Sequence, residues 1–183
     1  FTDPTGNTYL NLLPTSLING IDIIKGPAGA SYGLGTGGAV LLESNFTLDS
    51  ATHSSANATI RGGSFGFLGQ DMRVTFKCKK MQQTFFVSNE SSKGWREQSG
   101  TDKKNITWLT SFVGKKHTLH TTLLFTDLMY QTPGGLTLFQ MGQNPKWARQ
   151  ATPSLPSAVA QQTAVYNQTF LGSVQYVYHF SKL

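Results

Sequence analysis

Charge is what this sequence lacks most. Charged residues make up 13% of the chain and hydrophobic residues 38%, whereas about 25% charged residues is usual for soluble globular domains. Low charge without high hydrophobicity is unusual for a soluble α/β protein. It fits a surface divided between apolar residues that face lipid and uncharged polar residues that face a lumen.

Other absences exclude whole classes of function. With one cysteine, Cys78, the chain can form neither an internal disulfide nor a cysteine-based metal site. The four histidines are scattered, and no serine or carboxylate lies in a catalytic arrangement, so we expect no enzyme activity, no metal and no cofactor. No apolar run approaches the roughly eighteen residues of a membrane helix. Any membrane-spanning form would therefore be a β-barrel.

The net charge of +6 raises the question of a nucleic-acid partner. The lysines fall in short turns and follow no single helix or sheet face, whereas nucleic-acid binding uses a continuous basic patch. We therefore expect no nucleic acid.

Alternation of apolar and polar residues with period two predicts antiparallel strands. Six strands at hairpin spacing are predicted over residues 56–61, 67–76, 83–91, 105–113, 118–130 and 162–180. The last is split between an aromatic, apolar face and a mostly neutral polar face, and it is longer than strands in soluble sheets. Its length suits an outer-membrane strand, with Tyr176, Tyr178 and Phe180 in an interfacial aromatic girdle. A β-sandwich that buries the aromatic face remains the alternative.

Connector lengths also alternate. The connectors after the second and fourth strands are short and basic, and those after the third and fifth are long. Short turns on one side and long loops on the other are typical of outer-membrane barrels, in which the short turns are periplasmic.

A glycine-dense stretch at 21–42 carries the most specific order of residues. Two short strands, 21–24 and 39–42, flank a connector that contains, after Lys25-Gly26-Pro27, five glycines and Tyr32. A dinucleotide or phosphate loop would need a helix directly after the glycines, but an apolar strand follows. A plain glycine-rich turn does not explain the specific order.

That order, Ile-Asp-Ile-Ile-Lys-Gly-Pro-Ala-Gly-Ala-Ser-Tyr-Gly followed by Gly-Thr-Gly-Gly-Ala-Val, resembles the end of the plug domain of TonB-dependent outer-membrane receptors. The family commonly has, at the position of Gly20, an arginine that pairs with barrel carboxylates. The resemblance marks as plug-motif residues Lys25, Gly26, Pro27, Tyr32, Gly33, Gly37 and Gly38.

The resemblance implies a mainly β internal fragment of such a receptor. Residues 1–50 would be the C-terminal part of the plug, and residues 51–183 the N-terminal portion of a transmembrane β-barrel, with about six antiparallel strands. The implied function is TonB-coupled uptake of a scarce ligand, most often a ferric siderophore or iron-citrate-like complex, across the bacterial cell outer membrane. The implied partners are outer-membrane lipid, the iron chelate and the TonB complex, whose contact segment we expect outside this chain.

Two alternatives stay open. Within the family, a polysaccharide importer is the nearest, although the run from Gly26 to Ser31 favours the siderophore branch. From another class, a secreted β-sandwich adhesion or carbohydrate-binding module would bury Tyr166, Phe170 and Tyr176 in protein.

The connector 131–161 is the predicted ligand-binding loop. Its start, Tyr130 to Thr137, resembles an extracellular loop of ferric-siderophore and citrate-type receptors. A loop of this length without helices or strands of its own is usually functional or disordered. The candidates for contact with an anionic chelate are Gln131, Thr132, Trp147 and Arg149, and for the last two, packing of the loop on the barrel rim is the alternative role.

Overall fold

The structure is a computed structural model that describes residues 9–27, 29, 32, 37–43 and 53–180. The chain divides into two compact units, Phe1–Thr47 and Leu48–Leu183. The fold is mainly β, with one two-stranded and one six-stranded sheet.

The first unit contains a β-hairpin. Strands β1 (Gly20–Lys25) and β2 (Gly38–Glu43) pair antiparallel from Gly20 opposite Glu43 to Lys25 opposite Gly38. This confirms the two predicted short strands and extends each by one residue at both ends. Two 3₁₀ turns, Leu10–Leu12 and Thr15–Leu17, precede the hairpin, and Leu12 is buried.

The second unit is a six-stranded antiparallel sheet whose strands neighbour one another in chain order. Its strands are β3 (Ser55–Gly63), β4 (Phe67–Cys78), β5 (Met81–Ser92), β6 (Thr101–Val113), β7 (His117–Gln131) and β8 (Ala164–Tyr178). All six predicted strands are confirmed. The predicted polar loop up to residue 104 is wrong at its end, because Thr101–Lys104 pair with both β5 and β7.

The connectors differ at the two ends of this sheet. At the turn end, Lys79–Lys80 join β4 to β5, and Gly114–Lys116 join β6 to β7. At the loop end, residues 93–100 and 132–163 form the long connections. Between β3 and β4 lies a short 3₁₀ turn, Ser64–Gly66, at the loop end. The predicted alternation of short and long connectors is therefore present.

The connector between β7 and β8 has a helix of its own, contrary to expectation. Helix α1 (Leu138–Gln143) begins with a capping box. The backbone N–H of Gln140 donates to Thr137 Oγ1 (3.2 Å), and the backbone N–H of Thr137 donates to Gln140 Oε1 (3.1 Å). These bonds satisfy amides that a short helix leaves open at its N-terminus. Within the described residues, no helix is long and apolar enough to cross a membrane.

The buried side chains of the sheet lie on one face and are largely polar. This face, termed the polar face, holds Phe86, Leu109, Leu124 and Leu128 together with Thr84, Ser88, Asn105, Thr107, Ser111 and Thr126. Their positions follow from the two-residue alternation of each strand and from the register between strands. The opposite face, termed the apolar face, carries large hydrophobic side chains that are exposed.

Candidate functional site

The apolar face is built from rows of hydrophobic residues that lie opposite one another on neighbouring strands. One row consists of Met72, Val87, Ile106, Phe125 and Phe170, joined by direct register pairs from β4 to β8. Every member is exposed, up to 71% for Phe170. A monomeric soluble protein rarely exposes an apolar surface of this extent. We therefore expect this face to be covered by protein or by lipid.

Aromatic contacts consolidate the same face. The rings of Phe85 and Trp108 stack with centroids 5.7 Å apart, and the edge of Phe76 meets Phe85 at 6.4 Å. From the row of Met72 to that of Cys78, the face extends along β4 by six residues, about 20 Å at the usual rise of a strand. Its third row is mixed, with Gln83, Thr110 and Thr121 between Phe76 and Val174. Beyond the row of Met72, the next row toward the loop end is polar and consists of Gln70, Asn89, Lys104, Asp127 and Gln168.

The polar face is held together by hydrogen bonds between side chains. Asn105 Nδ2 donates to Thr126 Oγ1 (2.7 Å) and to the carbonyl oxygen of Phe125 (3.2 Å), and Thr107 Oγ1 donates to Asn105 Oδ1 (2.7 Å). Asn105 and Thr126 have no exposed surface at all. The side chains of Asn105, Thr107 and Thr126 can be buried because each has a hydrogen-bond partner.

Four charged residues, termed the ion ladder, cross four strands of the polar face. Arg61 Nη2 lies 2.7 Å from Asp71 Oδ2 and 2.9 Å from Glu90 Oε1, and Lys103 Nζ lies 2.9 Å from Glu90 Oε2. Arg61 reaches Glu90 over β4 at Gly69, its register partner. A Cβ at Gly69 would lie 3.3 Å from both Arg61 Nε and Nη2. The missing side chain therefore makes room for the guanidinium.

At the loop end, residues 93–100 and 132–163 join into one structure, termed the loop assembly. Arg96 fixes it: its Nη2 donates to the carbonyl oxygens of Trp147 (2.7 Å) and Gly134 (3.2 Å), and its Nε donates to that of Trp147 (3.1 Å). Glu97 adds two bonds, since its N–H donates to the Lys146 carbonyl (2.8 Å) and its Oε2 accepts from the N–H of Ala148 (3.2 Å). The long connector is therefore tied to its neighbour by directed bonds.

Two of the predicted ligand-contact residues serve the backbone of this assembly. Gln131 donates its N–H to the carbonyl of Gly100 (2.8 Å), and its Oε1 accepts from the N–H of Gly100 (3.0 Å). Thr132 donates its N–H to the carbonyl of Thr163 (3.0 Å), whose hydroxyl donates back to the Thr132 carbonyl (2.6 Å). These contacts close the base of the 132–163 loop.

The other two predicted residues lie within the loop. Arg149 Nη2 donates to Gln161 Oε1 (2.6 Å), and the Arg149 backbone bonds Pro133 and Ala158. Gly134 has a φ of 70°, and a Cβ added there would lie 2.9 Å from Arg149 Cβ, so the position leaves no room for a side chain. Trp147 is half-buried and gives its carbonyl to Arg96. All four candidates therefore lie in one assembly, and most of their observed contacts are internal to it.

In the first unit, some of the motif glycines have a backbone conformation or a close neighbour that excludes a side chain, and others do not. Gly38 has a φ of 134°, and a Cβ there would collide with the carbonyl oxygen of Ile24. Gly26, between Lys25 and Pro27, has a φ of 88°, a conformation that favours glycine. Among the described residues, none lies within 4 Å of a Cβ added at Gly37.

Two further motif positions are Tyr32 and Gly33. Tyr32 is exposed and donates its N–H to the Gly29 carbonyl (3.2 Å), whereas Gly33 lies outside the described residues. At Gly20, where the related motif has arginine, a Cβ would lie 3.1 Å from Glu43 Oε2.

Sequence reasoning missed the ion ladder and Arg96. The ladder depends on the register of four strands, which the alternation within each strand does not supply. Arg96 binds backbone carbonyl oxygens, which every residue has, so no sequence pattern identifies its partners. Within the described residues, no group of histidine, cysteine and acidic side chains could hold a metal ion.

In comparisons with known proteins, no protein-family model matches this chain, and no curated protein matches it.

Proposed function

We propose that this chain is part of a TonB-dependent outer-membrane receptor that imports an iron–chelate complex. The observation that carries the proposal is the inverted polarity of the six-stranded sheet. Its hydrophobic face is exposed and its buried face is rich in hydroxyl, amide and charged groups. In a strand of a membrane barrel, apolar residues that face the lipid alternate with polar residues that face the lumen, which gives the same arrangement of the two faces.

Strand length and connector lengths support the same assignment. The strands from β4 to β8 have 12 to 15 residues, and about nine to eleven suffice to cross a bilayer. Short turns at one end and long loops at the other match the periplasmic and extracellular sides of such barrels. The motif at 21–42, which resembles that of a plug domain, is the reason for proposing this class of receptor. The motif contains two short strands, and β1 and β2 form a hairpin there.

Six strands do not make a closed barrel, because the smallest membrane barrels have about eight strands. In the described part of the sheet, β3 pairs only with β4, and β8 only with β7. Unpaired strand edges are strongly unfavourable in lipid. In the proposed receptor, further strands therefore pair with both edges, the first unit forms part of the plug, and the TonB complex acts through a segment elsewhere.

The chelate would bind at the loop assembly. Gln131 and Thr132 hold the base of the long loop, so they act by positioning it. Trp147 and Arg149 supply an aromatic ring and a cation on this loop, groups that suit an anionic chelate. Their internal bonds support a second role, in which they stabilise the loop.

Two adjacent residues of β5 can test the membrane assignment. Val87 belongs to the apolar face and Ser88 to the polar face. In a background with Cys78→Ser, Val87→Cys and Ser88→Cys would each carry a bimane label, and the chain would be folded in detergent micelles. We expect doxyl-stearate to quench the label at 87 strongly and the label at 88 weakly.

The rival β-sandwich predicts a different pattern. A sandwich buries the apolar face in protein, so the label at 87 would be shielded from both doxyl-stearate and aqueous iodide. That result, or equal doxyl quenching at the two positions, would reject the proposal.

A further inference from the structure

Among the described residues, the turn end of the six-stranded sheet carries lysine side chains and no acidic side chain. Its two turns hold four exposed lysines, termed the basic rim: Lys79, Lys80, Lys115 and Lys116. The described stretches that form this end, 53–57, 75–84, 110–120 and 172–180, contain no acidic residue. The acidic residues of the described unit lie closer to the loop end, at Asp71, Glu90, Glu97, Asp102 and Asp127.

The basic rim is held in place by backbone bonds between neighbouring turns and strand ends. The carbonyl of Lys80 accepts from the N–H of Val113 (2.8 Å), and that of Lys116 accepts from the N–H of His179 (2.8 Å). The Gly114 N–H closes the second turn on the carbonyl of His117 (2.7 Å). The two lysine pairs are thus fixed about two strand spacings apart, or ~10 Å.

The lysine side chains of the rim have no anionic partner in the described structure. All three ion pairs there belong to the ion ladder on the polar face. The four ammonium groups are therefore available to a ligand outside the chain.

The apolar face reaches the rim through an aromatic cluster on β7 and β8. The His117 ring packs against Tyr178 (centroids 5.0 Å apart) and bonds the hydroxyl of Tyr176, while Tyr178 meets Phe180 edge-on at 4.7 Å. Phe112 and Leu119, in the same row as Tyr176, link the cluster to the rest of the apolar face. Rings with an apolar body and a polar tip suit the boundary between hydrocarbon and headgroups.

We infer that the basic rim binds the headgroups of anionic phospholipids, whose acyl chains lie against the apolar face. This inference rests on the proposed function, since it requires the apolar face to be in lipid. Charge complementarity and the direct continuity of rim, aromatic cluster and apolar face identify the partner. A nucleic acid or acidic protein would match the charge alone and would leave the adjoining apolar surface uncovered.

The inference can be tested in detergent micelles on the proposed receptor, in which further strands pair with both edges of the sheet. The probes are dihexanoyl-phosphatidylglycerol and its zwitterionic counterpart dihexanoyl-phosphatidylcholine, followed through amide chemical shifts. We expect phosphatidylglycerol to shift the amides of residues 79–81, 114–117 and 176–180. Neutralising the rim with K79Q, K80Q, K115Q and K116Q together should weaken its binding about tenfold or more.

A matched pair of double variants controls for net charge. K115Q/K116Q should weaken binding severalfold, whereas K104Q/K146Q, which removes two exposed lysines toward the loop end, should leave it unchanged. Equal shifts with phosphatidylcholine, equal effects of the two double variants, or the same shifts with inorganic phosphate or heparin would overturn the inference.

Doxyl-stearate in the same micelles separates this inference from the proposed function. If it broadens the amides around Val87, Ile106 and Phe125 while phosphatidylglycerol leaves the rim unchanged, the membrane assignment stands and the headgroup site fails. If those amides are not broadened, the membrane assignment itself fails.

Discussion

On neighbouring residues of one strand, Ile106 is 57% exposed and Asn105 is completely buried. In a soluble antiparallel sheet the hydrophobic residue would face the core and the amide would face water. Here the amide gains two partners on β7 and one on its own strand. The comparison of the two faces shows that hydrogen bonding organises one side, and that the other side is suited to an apolar solvent.

The largest expected effect comes from placing a charge on the apolar face. Leu123 lies in the row of Phe85 and Trp108, inside the hydrophobic band. If the proposed membrane assignment holds, Leu123→Arg should lower the free energy of unfolding of the proposed receptor in lipid vesicles by about 2–4 kcal/mol, because a guanidinium near the bilayer midplane is poorly solvated. Guanidinium titration would measure this change.

Gln168→Arg is the matched control on the same face. It lies in the polar row toward the loop end, where the cost should fall to about 0–1 kcal/mol. Equal costs at the two positions would show that depth in a bilayer does not govern this face, and would break the comparison.

The next effect belongs to the polar face. Asn105→Ala removes three hydrogen bonds and leaves the hydroxyls of Thr107 and Thr126 with fewer partners, which should cost about 1–3 kcal/mol. Ser111→Ala is the control, because Ser111 Oγ is buried without a hydrogen-bond partner among the described residues, so its loss should be close to neutral. Should Ser111→Ala cost as much as Asn105→Ala, hydrogen bonds would not be what organises this face.

A smaller effect is expected at the ion ladder. Arg61→Gln removes a cation that contacts both Asp71 and Glu90, while Lys103 still pairs with Glu90. Because Arg61 is partly exposed, its contribution should be about 1 kcal/mol and should shrink as salt is added. Lys104→Gln, which removes a neighbouring exposed lysine, should change stability less and without this salt dependence. If Arg61→Gln lowers the unfolding free energy by the same amount at every salt concentration, Arg61 stabilises the sheet by packing and not by its charge.

Period-two alternation was sufficient to predict all six strands of the sheet, because it is a local property of each segment. It could not predict which face is buried, since a sandwich and a barrel alternate in the same way. It also failed at Thr101–Lys104, where polar and charged residues resemble a loop but pair on both sides. Burial and register depend on neighbouring strands, so Asn105 and the ion ladder became visible only in the structure.

The same limit applies to the candidate site. The long connector was predicted as the ligand-binding loop from its length and its aromatic and cationic residues. The sequence did not predict helix α1, whose Thr137 and Gln140 form a capping box, or the binding of Arg96 to carbonyls of the 132–163 loop. Those bonds join segments far apart in sequence, and no local pattern encodes them.

The smallest effect on global stability, and the most local, is expected in the loop assembly. Arg96→Lys keeps the charge but replaces a planar fork of donors by a single ammonium group, which cannot reproduce the bonds from Nη2 and Nε to the Trp147 and Gly134 carbonyls. We expect unfolding free energy to fall by about 1 kcal/mol or less, whereas amide exchange at residues 144–150 should accelerate severalfold.

Lys93→Arg, a change of the opposite kind in the same connector, is the control and should leave exchange at 144–150 unaltered. If Arg96→Lys also leaves it unaltered, Arg96 does not fix the loop. Accelerated exchange there, with protection of β6 and β7 unchanged, would mean that the sheet and the loop assembly open independently. The two faces of the sheet would then be the rigid part of the molecule, and the loop assembly would be the part free to adapt to a ligand.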